Sequence, residues 1–272
     1  MEEKTNQNTE VKNGHRKESK IIFILSLVLV VTLILALVTS IVLLFFSVKE
    51  IEVVGDSRYD YADIIEASKI RVGNRLYYLN ETKAENAILA AFPYIKNVKV
   101  SSYFPNRVKI EIEEFEDVYL VPHSDGFCYV NSEFEILEIV DKAPTYERFS
   151  GIFIKLEKCA EGGIGSIYQS ESTQRATDMI KFIKEYGFYG YLNIIDVEDK
   201  YNNSFVVAKK YKFILGAMTD LSEKIDYAFK VCLDDSFDKE NNAIIDVTVG
   251  QKVILRYVND ENIRQEFDFC QN

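Results

Sequence analysis

Residues 91–114 read AFPYIKNVKVSSYFPNRVKIEIEE. From Arg107 to Glu113 this stretch alternates strictly, Val108, Ile110 and Ile112 against Lys109, Glu111 and Glu113. A two-residue period sends one set to a core and the other to water, as a half-buried strand requires. Ile95 to Tyr103 reads as a second strand, with Val98 and Val100 on one face, and Phe104-Pro105-Asn106 turns the chain between the two. Working backwards, Pro93 stops a helix that runs through Ala87, Ile88, Leu89 and Ala91. Thr82-Lys83-Ala84-Glu85 fits a capping box at its start. Gly73-Asn74 marks a turn, and Asp60 to Ser68 reads as a short helix with Ile64, Ile65 and Ala67 inward. Val48 to Val54 is a strand, closed by Gly55-Asp56. The predicted order is β-α-α-β-β.

Upstream, residues 21–48 contain no charge, and Ser26, Thr32, Thr39, Ser40 and Ser47 are the polar residues of a run rich in Ile, Leu, Val and Phe. A bilayer core of about 30 Å needs about 20 apolar helical residues. The run is therefore read as an uncleaved transmembrane helix; a signal peptide's apolar region is shorter, about 7–15 residues. The flanks set its orientation. His15, Arg16, Lys17 and Lys20 precede it, whereas Lys49, Glu50, Glu52 and Asp56 follow. The positive-inside rule puts residues 1–20 in the cytoplasm, as a disordered polar tail, and the rest outside.

Charge divides at the same wall. The whole chain of 272 residues carries −11. Residues 1–20 hold five basic groups and four Glu, so residues 49–272 hold 27 basic and 39 acidic groups, a net of −12. An acidic ectodomain argues against sequence-independent nucleic-acid binding.

Residues 118–260 read as a strand-rich domain. Tyr119 to Pro122, Phe127 to Val130, Phe134 to Ile139, Ile194 to Val197, Ser204 to Val207, Lys212 to Leu215, Ile244 to Val249 and Val253 to Tyr257 have strand composition. Ser172 to Tyr186 is a helix with Ala176, Met179, Ile180 and Ile183 as its stripe and Gly187 as C-cap. A second helix starts at Asp220, burying Leu221, Ile225, Ala228, Phe229 and Cys232. Residues 261–272 read as a tail.

Catalytic chemistry finds little support. With two His, a Ser-His-Asp triad or a His-rich metal site has few candidates. His123 reads as a surface-loop residue beside Pro122. The Gly-rich stretch Glu161 to Ser166 lacks the Gly-Lys-Ser/Thr of a phosphate loop. Cys128, Cys159, Cys232 and Cys270 form no C-x-x-C pair; Cys232 reads as a buried free thiol, and the pairing of the others stays open. Glu111, Glu113, Glu114, Glu116 and Asp117 read as a solvated strand face and its exit. No catalytic, cofactor-binding or metal site is expected.

The stretches IEVVGDSRYDYADI (51–64), VGNRLYYLN (72–80) and residues 91–114 resemble a POTRA (polypeptide-transport-associated) module. A short tail, one anchor and a single such module resemble the bacterial cell-division family FtsQ/DivIB. Three later segments are similar to it as well: GFCYVNSEFEIL (126–137), YKFILGAMTDLSEKIDYAFKVC (211–232) and NNAIIDVTVGQKVILRY (241–257). One departure stands out, because the family usually shows Glu-Arg-x-Pro after the last POTRA strand and this chain has Glu114-Phe115-Glu116-Asp117.

The expected architecture is α+β: a transmembrane helix at 21–48, a POTRA domain at 49–117, and a mostly antiparallel β domain at 118–260 with two helices on one face. The resemblance implies a non-enzymatic divisome scaffold at the division septum, helping to assemble or regulate septal peptidoglycan synthesis. Its implied partners are bitopic division proteins of the FtsL and FtsB/DivIC kind. Strand pairing would use the terminal edge, Gln251, Lys252, Val253, Ile254, Leu255, Arg256 and Tyr257, with the POTRA edge as a weaker second surface. The alternatives are a membrane-anchored cell-wall enzyme, which lacks a visible nucleophile-base or acid pair, and a POTRA protein of a secretion or assembly system, which would carry repeated modules.

Overall fold

The computed structural model describes residues 22–41, 45–157, 162–235, 237–249 and 252–271. The expected tail at 1–20, Cys159, Glu161 and Gln251 lie outside the described residues. Helix α1, Ile22–Ile41, has 20 residues and is apolar enough to cross a membrane. At about 1.5 Å per residue it is about 30 Å long, the hydrocarbon thickness. None of it is buried by the rest of the chain. Its hydroxyls bond back to its own carbonyls: Ser26 to Phe23, Thr32 to Leu29 and Thr39 to Leu35, each at 2.8 Å. Such back-bonding pairs these three donors without help from lipid.

The chain divides into two compact units. The first takes in residues up to Ala91 and Asn97–Glu113. Beyond α1 it contains β1 (Glu50–Val54), α2 (Tyr61–Ser68), α3 (Glu81–Ala91), β2 (Ile95–Tyr103) and β3 (Arg107–Glu114). This is the β-α-α-β-β order read from the sequence. The sheet order is β1-β3-β2, with β1 parallel to β3. Val108, Ile110 and Ile112 are buried with Val98, Val100, Ile64 and Ile88. Gly55 closes β1 at φ +127, and a Cβ there would meet the Ile112 carbonyl oxygen at 2.2 Å. Only glycine fits both demands.

The cap of α3 differs from the expected one. Asn80 precedes the helix, and its Oδ1 accepts from the Lys83 N–H at 2.9 Å. Thr82 therefore lies inside the first turn. Glu85, freed from a capping box, accepts from the Val100 N–H at 2.9 Å, and Glu81 one turn earlier accepts from the Ser102 N–H at 2.8 Å. Two edge donors of β2 are thus occupied by α3 carboxylates.

The second unit is one nine-stranded sheet. Its strands are β4 (Val118–His123), β5 (Gly126–Asn131), β6 (Ile136–Val140), β7 (Ile152–Lys155), β8 (Leu192–Asp196), β9 (Asn203–Val207), β10 (Tyr211–Gly216), β11 (Asn242–Asp246) and β12 (Ile254–Val258). They lie in the order β12-β11-β10-β9-β8-β7-β4-β5-β6. Five of the eight neighbour pairings are antiparallel, as expected for most of the sheet. Helix α4, Thr173–Glu185, connects the parallel pair β7 and β8, and α5, Leu221–Leu233, connects the parallel pair β10 and β11. Parallel neighbours require a crossover over one face, which is where the two helices lie.

Alternation along each strand makes two cores. Tyr119, Val121, Ile154, Ile195, Phe205 and Val207 pack with Met179 and Ile183 of α4 and Ile225 and Ala228 of α5. Leu120, Phe153, Ile194 and Val206 point the other way. The sequence reading leaves that second face uncovered and ends the domain at 260. In the structure Asp260–Arg264 forms α6, and Gln265–Gln271 continues in 3₁₀ turns. The Asn259 side chain caps α6 by accepting from the Asn262 N–H at 3.0 Å. Ile263, Phe267 and Cys270, spaced four and three apart, are buried against the second face.

Asp117 is more than a solvated exit residue. Its carboxylate accepts from Lys184 Nζ and from Tyr189 Oη, both at 2.5 Å, and Tyr189 lies 3.1 Å from the Tyr119 hydroxyl. Burial raises the Asp117 pKa, but the bonds from Lys184 and Tyr189 outweigh it and hold the carboxyl below its ordinary 3.8. Burial also pushes the Tyr119 hydroxyl up to about 12. With the folded pKa lowered, Asp117 contributes its stability fully above the unfolded value and loses it as pH falls through the folded one. Asp117→Asn should flatten the acid limb of a stability–pH curve from the ordinary 3.8 downwards. An equally steep limb in the variant would place the linked protonation elsewhere.

Candidate functional site

β12 ends the sheet. Its register with β11 pairs Val258 with Asn242, Arg256 with Ile244 and Ile254 with Asp246. On β11 the N–H groups of Ala243 and Val247 donate towards β10, to Lys210 O and Ile214 O. The intervening positions 242, 244 and 246 therefore bond to β12. Because the ladder alternates, Ile254, Arg256 and Val258 face β11, and the N–H and C=O of Leu255 and Tyr257 face outward. The opposite edge, β6, is partly closed: Ile136 donates to Ser166 O, and Gly165 donates to Ile136 O.

Side chains give the open edge two characters. Leu255 and Val253 are half-buried against the helix-side core. Tyr257 is 45% exposed and Ile254 49%, with Val249 nearby in sequence at 61%, so the edge is apolar, and among the described residues no strand lies beyond it. Tyr257 also braces its own surroundings. Its ring lies 6.3 Å from that of Phe237, and its hydroxyl accepts from the Asp238 N–H at 2.8 Å. Lys252 and Arg256 are exposed.

The turn that launches α5 holds this end of the sheet. Gly216 sits at φ +67, and a Cβ there would lie 3.0 Å from Thr248 Cγ2, beyond β11. Lys224, buried on α5, donates to Leu215 O at 2.9 Å and Ala217 O at 2.7 Å. Burial pushes its ammonium below the ordinary lysine range, with Asp220 opposing. Beside it lies a cavity of about 250 Å³, lined among others by Asp220, Glu223, Lys224, Thr248 and Lys252. It opens beside the residue that precedes β12 by two positions.

A family model described as a POTRA domain, FtsQ-type, matches residues 46–115. The chain is similar to a protein named cell division protein DivIB from Clostridium acetobutylicum, 29% identical over 194 residues, or 70% of this chain and 74% of the relative. A protein of the same name from Clostridium botulinum is 23% identical over 260 residues, covering 90% and 93%. A cell division protein FtsQ from Corynebacterium glutamicum is 27% identical over 113 residues, covering 40% and 50%.

The family model and these relatives together support the FtsQ/DivIB family of cell-division proteins for this chain.

The relatives' names and the one candidate span support a membrane-anchored division scaffold, and that family is non-catalytic. The Leu215-Gly216 turn and Lys224, quoted above for the resemblance, meet in space as a lysine clamp on that turn. His123 departs from the expectation of a surface loop: it ends β4 and is 2% exposed. Its Nδ1 accepts from the Asp125 N–H at 3.2 Å, and Nε2 lies 3.1 Å from Gly162 O. Both ring nitrogens serve the backbone, which a strand residue with neighbours on both faces has to arrange. Cys232 and Cys270 are free thiols. Cys128 belongs to the helix-side core and Cys270 to the other, so the sheet separates them. Burial pushes the Cys232 thiol up to about 11, in keeping with an inert core residue.

Proposed function

We propose that this scaffold works by strand addition at β12. Bitopic division partners of the FtsL and FtsB/DivIC kind would each be recognised outside the membrane, with a partner strand lying along Ile254 to Tyr257 and using the outward N–H and C=O of Leu255 and Tyr257. The single observation that carries this reading is the open, apolar-flanked edge at the end of a nine-stranded sheet. Each backbone bond adds only about 0.5–1.5 kcal/mol, so affinity comes from several such bonds together with burial of Ile254 and Tyr257. Residues 1–20 lie in the cytoplasm and the two units outside, which lets the anchor deliver the edge to partners held in the same membrane. The protein acts by holding partners rather than by chemistry, and at the septum it helps to assemble or regulate peptidoglycan synthesis.

The test is capture of partner ectodomains by the ectodomain of this chain, with circular dichroism to verify folding. Leu255→Asp is expected to weaken capture by more than about tenfold and Tyr257→Ala by less. Unchanged capture by two folded variants would remove β12 from the interface. In dividing cells a fluorescent fusion is expected at the septum, and a diffuse membrane signal would count against the reading.

A further inference from the structure

The segment that leaves α1 is stitched into the first unit. Leu76 N–H donates to Phe46 O at 3.0 Å, Val48 N–H to Asn74 O at 2.8 Å, and Lys49 N–H to Asn106 O at 2.8 Å. These bonds gather two loops, 69–80 and 103–109, at the end of the unit where the anchor departs. There the Phe46 ring packs edge-on against Tyr77 and Phe104, each at 5.7 Å, and Tyr77 lies 5.6 Å from Phe104. This cluster is not a core, because Tyr77 is 67% exposed and Phe104 61%.

Charge at this end reverses that of the ectodomain. The two loops, KIRVGNRLYYLN and YFPNRVK, hold five basic residues and no acid. Arg107 and Lys109 are paired with Glu50 and Glu111. Among the described residues Lys69, Arg71 and Arg75 form no ion pair. Exposed aromatics beside unpaired cations match the headgroup layer, where amphipathic rings collect and basic side chains meet lipid phosphate. The tether keeps the match within reach. Phe46 stands five positions beyond Ile41, so even fully extended chain places it no more than about 17 Å from the end of α1.

We propose that this end of the unit is seated on the membrane that α1 spans, with Phe46, Tyr77 and Phe104 at headgroup depth and Lys69, Arg71 and Arg75 on anionic lipid phosphates. Seating turns a swinging tether into a fixed mount: the unit's height and facing are set by the bilayer surface. The inference rests on the membrane span and not on partner binding at β12.

The experiment uses the full chain in vesicles of phosphatidylcholine and phosphatidylglycerol, part of the lipid brominated. The chain has no Trp, so one introduced Trp reports alone. Tyr77→Trp is expected to be quenched several-fold more strongly than Tyr201→Trp, placed at an exposed site of the second unit. Phe104→Trp serves as a second reporter should the first perturb the loop. Changing Lys69, Arg71 and Arg75 to Gln, or omitting the anionic lipid, is expected to reduce the excess quenching, by about fivefold in the seating equilibrium per charge. Equal quenching at the two units in vesicles that carry the protein through flotation overturns the seating. Unchanged quenching in the Gln variant overturns its cationic half. Failure to float overturns the anchor itself, and the seating with it, while leaving ectodomain capture of partners unaffected.

Discussion

Tyr257→Pro is expected to abolish partner capture while the second unit stays folded. Tyr257 turns its N–H away from β11, since the Ile254, Arg256 and Val258 positions carry the ladder to Asp246, Ile244 and Asn242. Proline there deletes an outward donor and puts ring carbons in the path of an incoming strand, yet breaks no bond inside the sheet. The lost bond accounts for about 0.5–1.5 kcal/mol, up to about tenfold in Kd, and the blocked approach of the partner strand adds to that loss. Arg256→Pro makes the informative contrast. It strikes a bond to Ile244, so it should peel β12 from β11 and lower the thermal midpoint as well. Tyr257→Ala controls for the side chain: it loses the Phe237 contact and the Asp238 bond but keeps the edge donor. Titration calorimetry against a partner ectodomain orders the three. If Tyr257→Pro binds as well as Tyr257→Ala, recognition does not run through backbone pairing at this position.

What could be read from residues alone follows from how local the signal is. The strict alternation of Arg107 to Glu113 needs no partner to be recognised, and β3 is found where it points, with Val108 and Ile110 fully buried. The uncharged run before Val48 is equally self-sufficient, as are the stripes of α4 and α5. Strand β7 is not legible locally, because Ile152–Lys155 is four residues long and pairs in parallel with β4 and β8, contacts that no local pattern announces. The α3 cap lies two residues before the expected one because Asn80 and Thr82 both head plausible turns; the competing demand on Glu85 from the β2 edge decides between them. Lys224 and Asp117 look like ordinary surface charges until the carbonyls and hydroxyls that receive them are placed by the fold. Of the candidate edge, composition indicated a last strand, but the outward direction of Leu255 and Tyr257 comes only from the bonding phase of β11 against β10.

Truncation after Asn259 tests the largest departure from that reading. As a tail, residues 261–272 could be removed with no effect on the thermal transition. In the structure they cover Leu120, Phe153, Ile194 and Val206 with Ile263, Phe267 and Cys270, and the Phe269 ring stacks on Phe153 at 3.8 Å. Polar ties pin the segment at its margins, Arg264 to Glu147 at 2.9 Å and Lys212 to Glu266 at 2.6 Å. The exposed Arg264–Glu147 pair adds little, about 0–1 kcal/mol, and the Lys212–Glu266 pair is half-buried. Burial dominates: at about 1.5–3 kcal/mol for each large apolar side chain, removal costs roughly 5–8 kcal/mol, an upper estimate because unfolded chains are already partly compact. That approaches the whole stability of a typical domain, about 5–15 kcal/mol. The truncated ectodomain should therefore melt without a cooperative transition above physiological temperature and should associate through its bared sheet face. Phe267→Ala supplies the graded version, since Phe267 is 1% exposed and its ring lies 5.0 Å from that of Tyr146. A loss of about 3–5 kcal/mol lowers the midpoint by about 10 °C in a unit of this size. An unchanged midpoint in both proteins would mean that the second core does not form. A fall in the truncation with none in Phe267→Ala would move the stabilisation to Ile263 and the α6 cap that holds it.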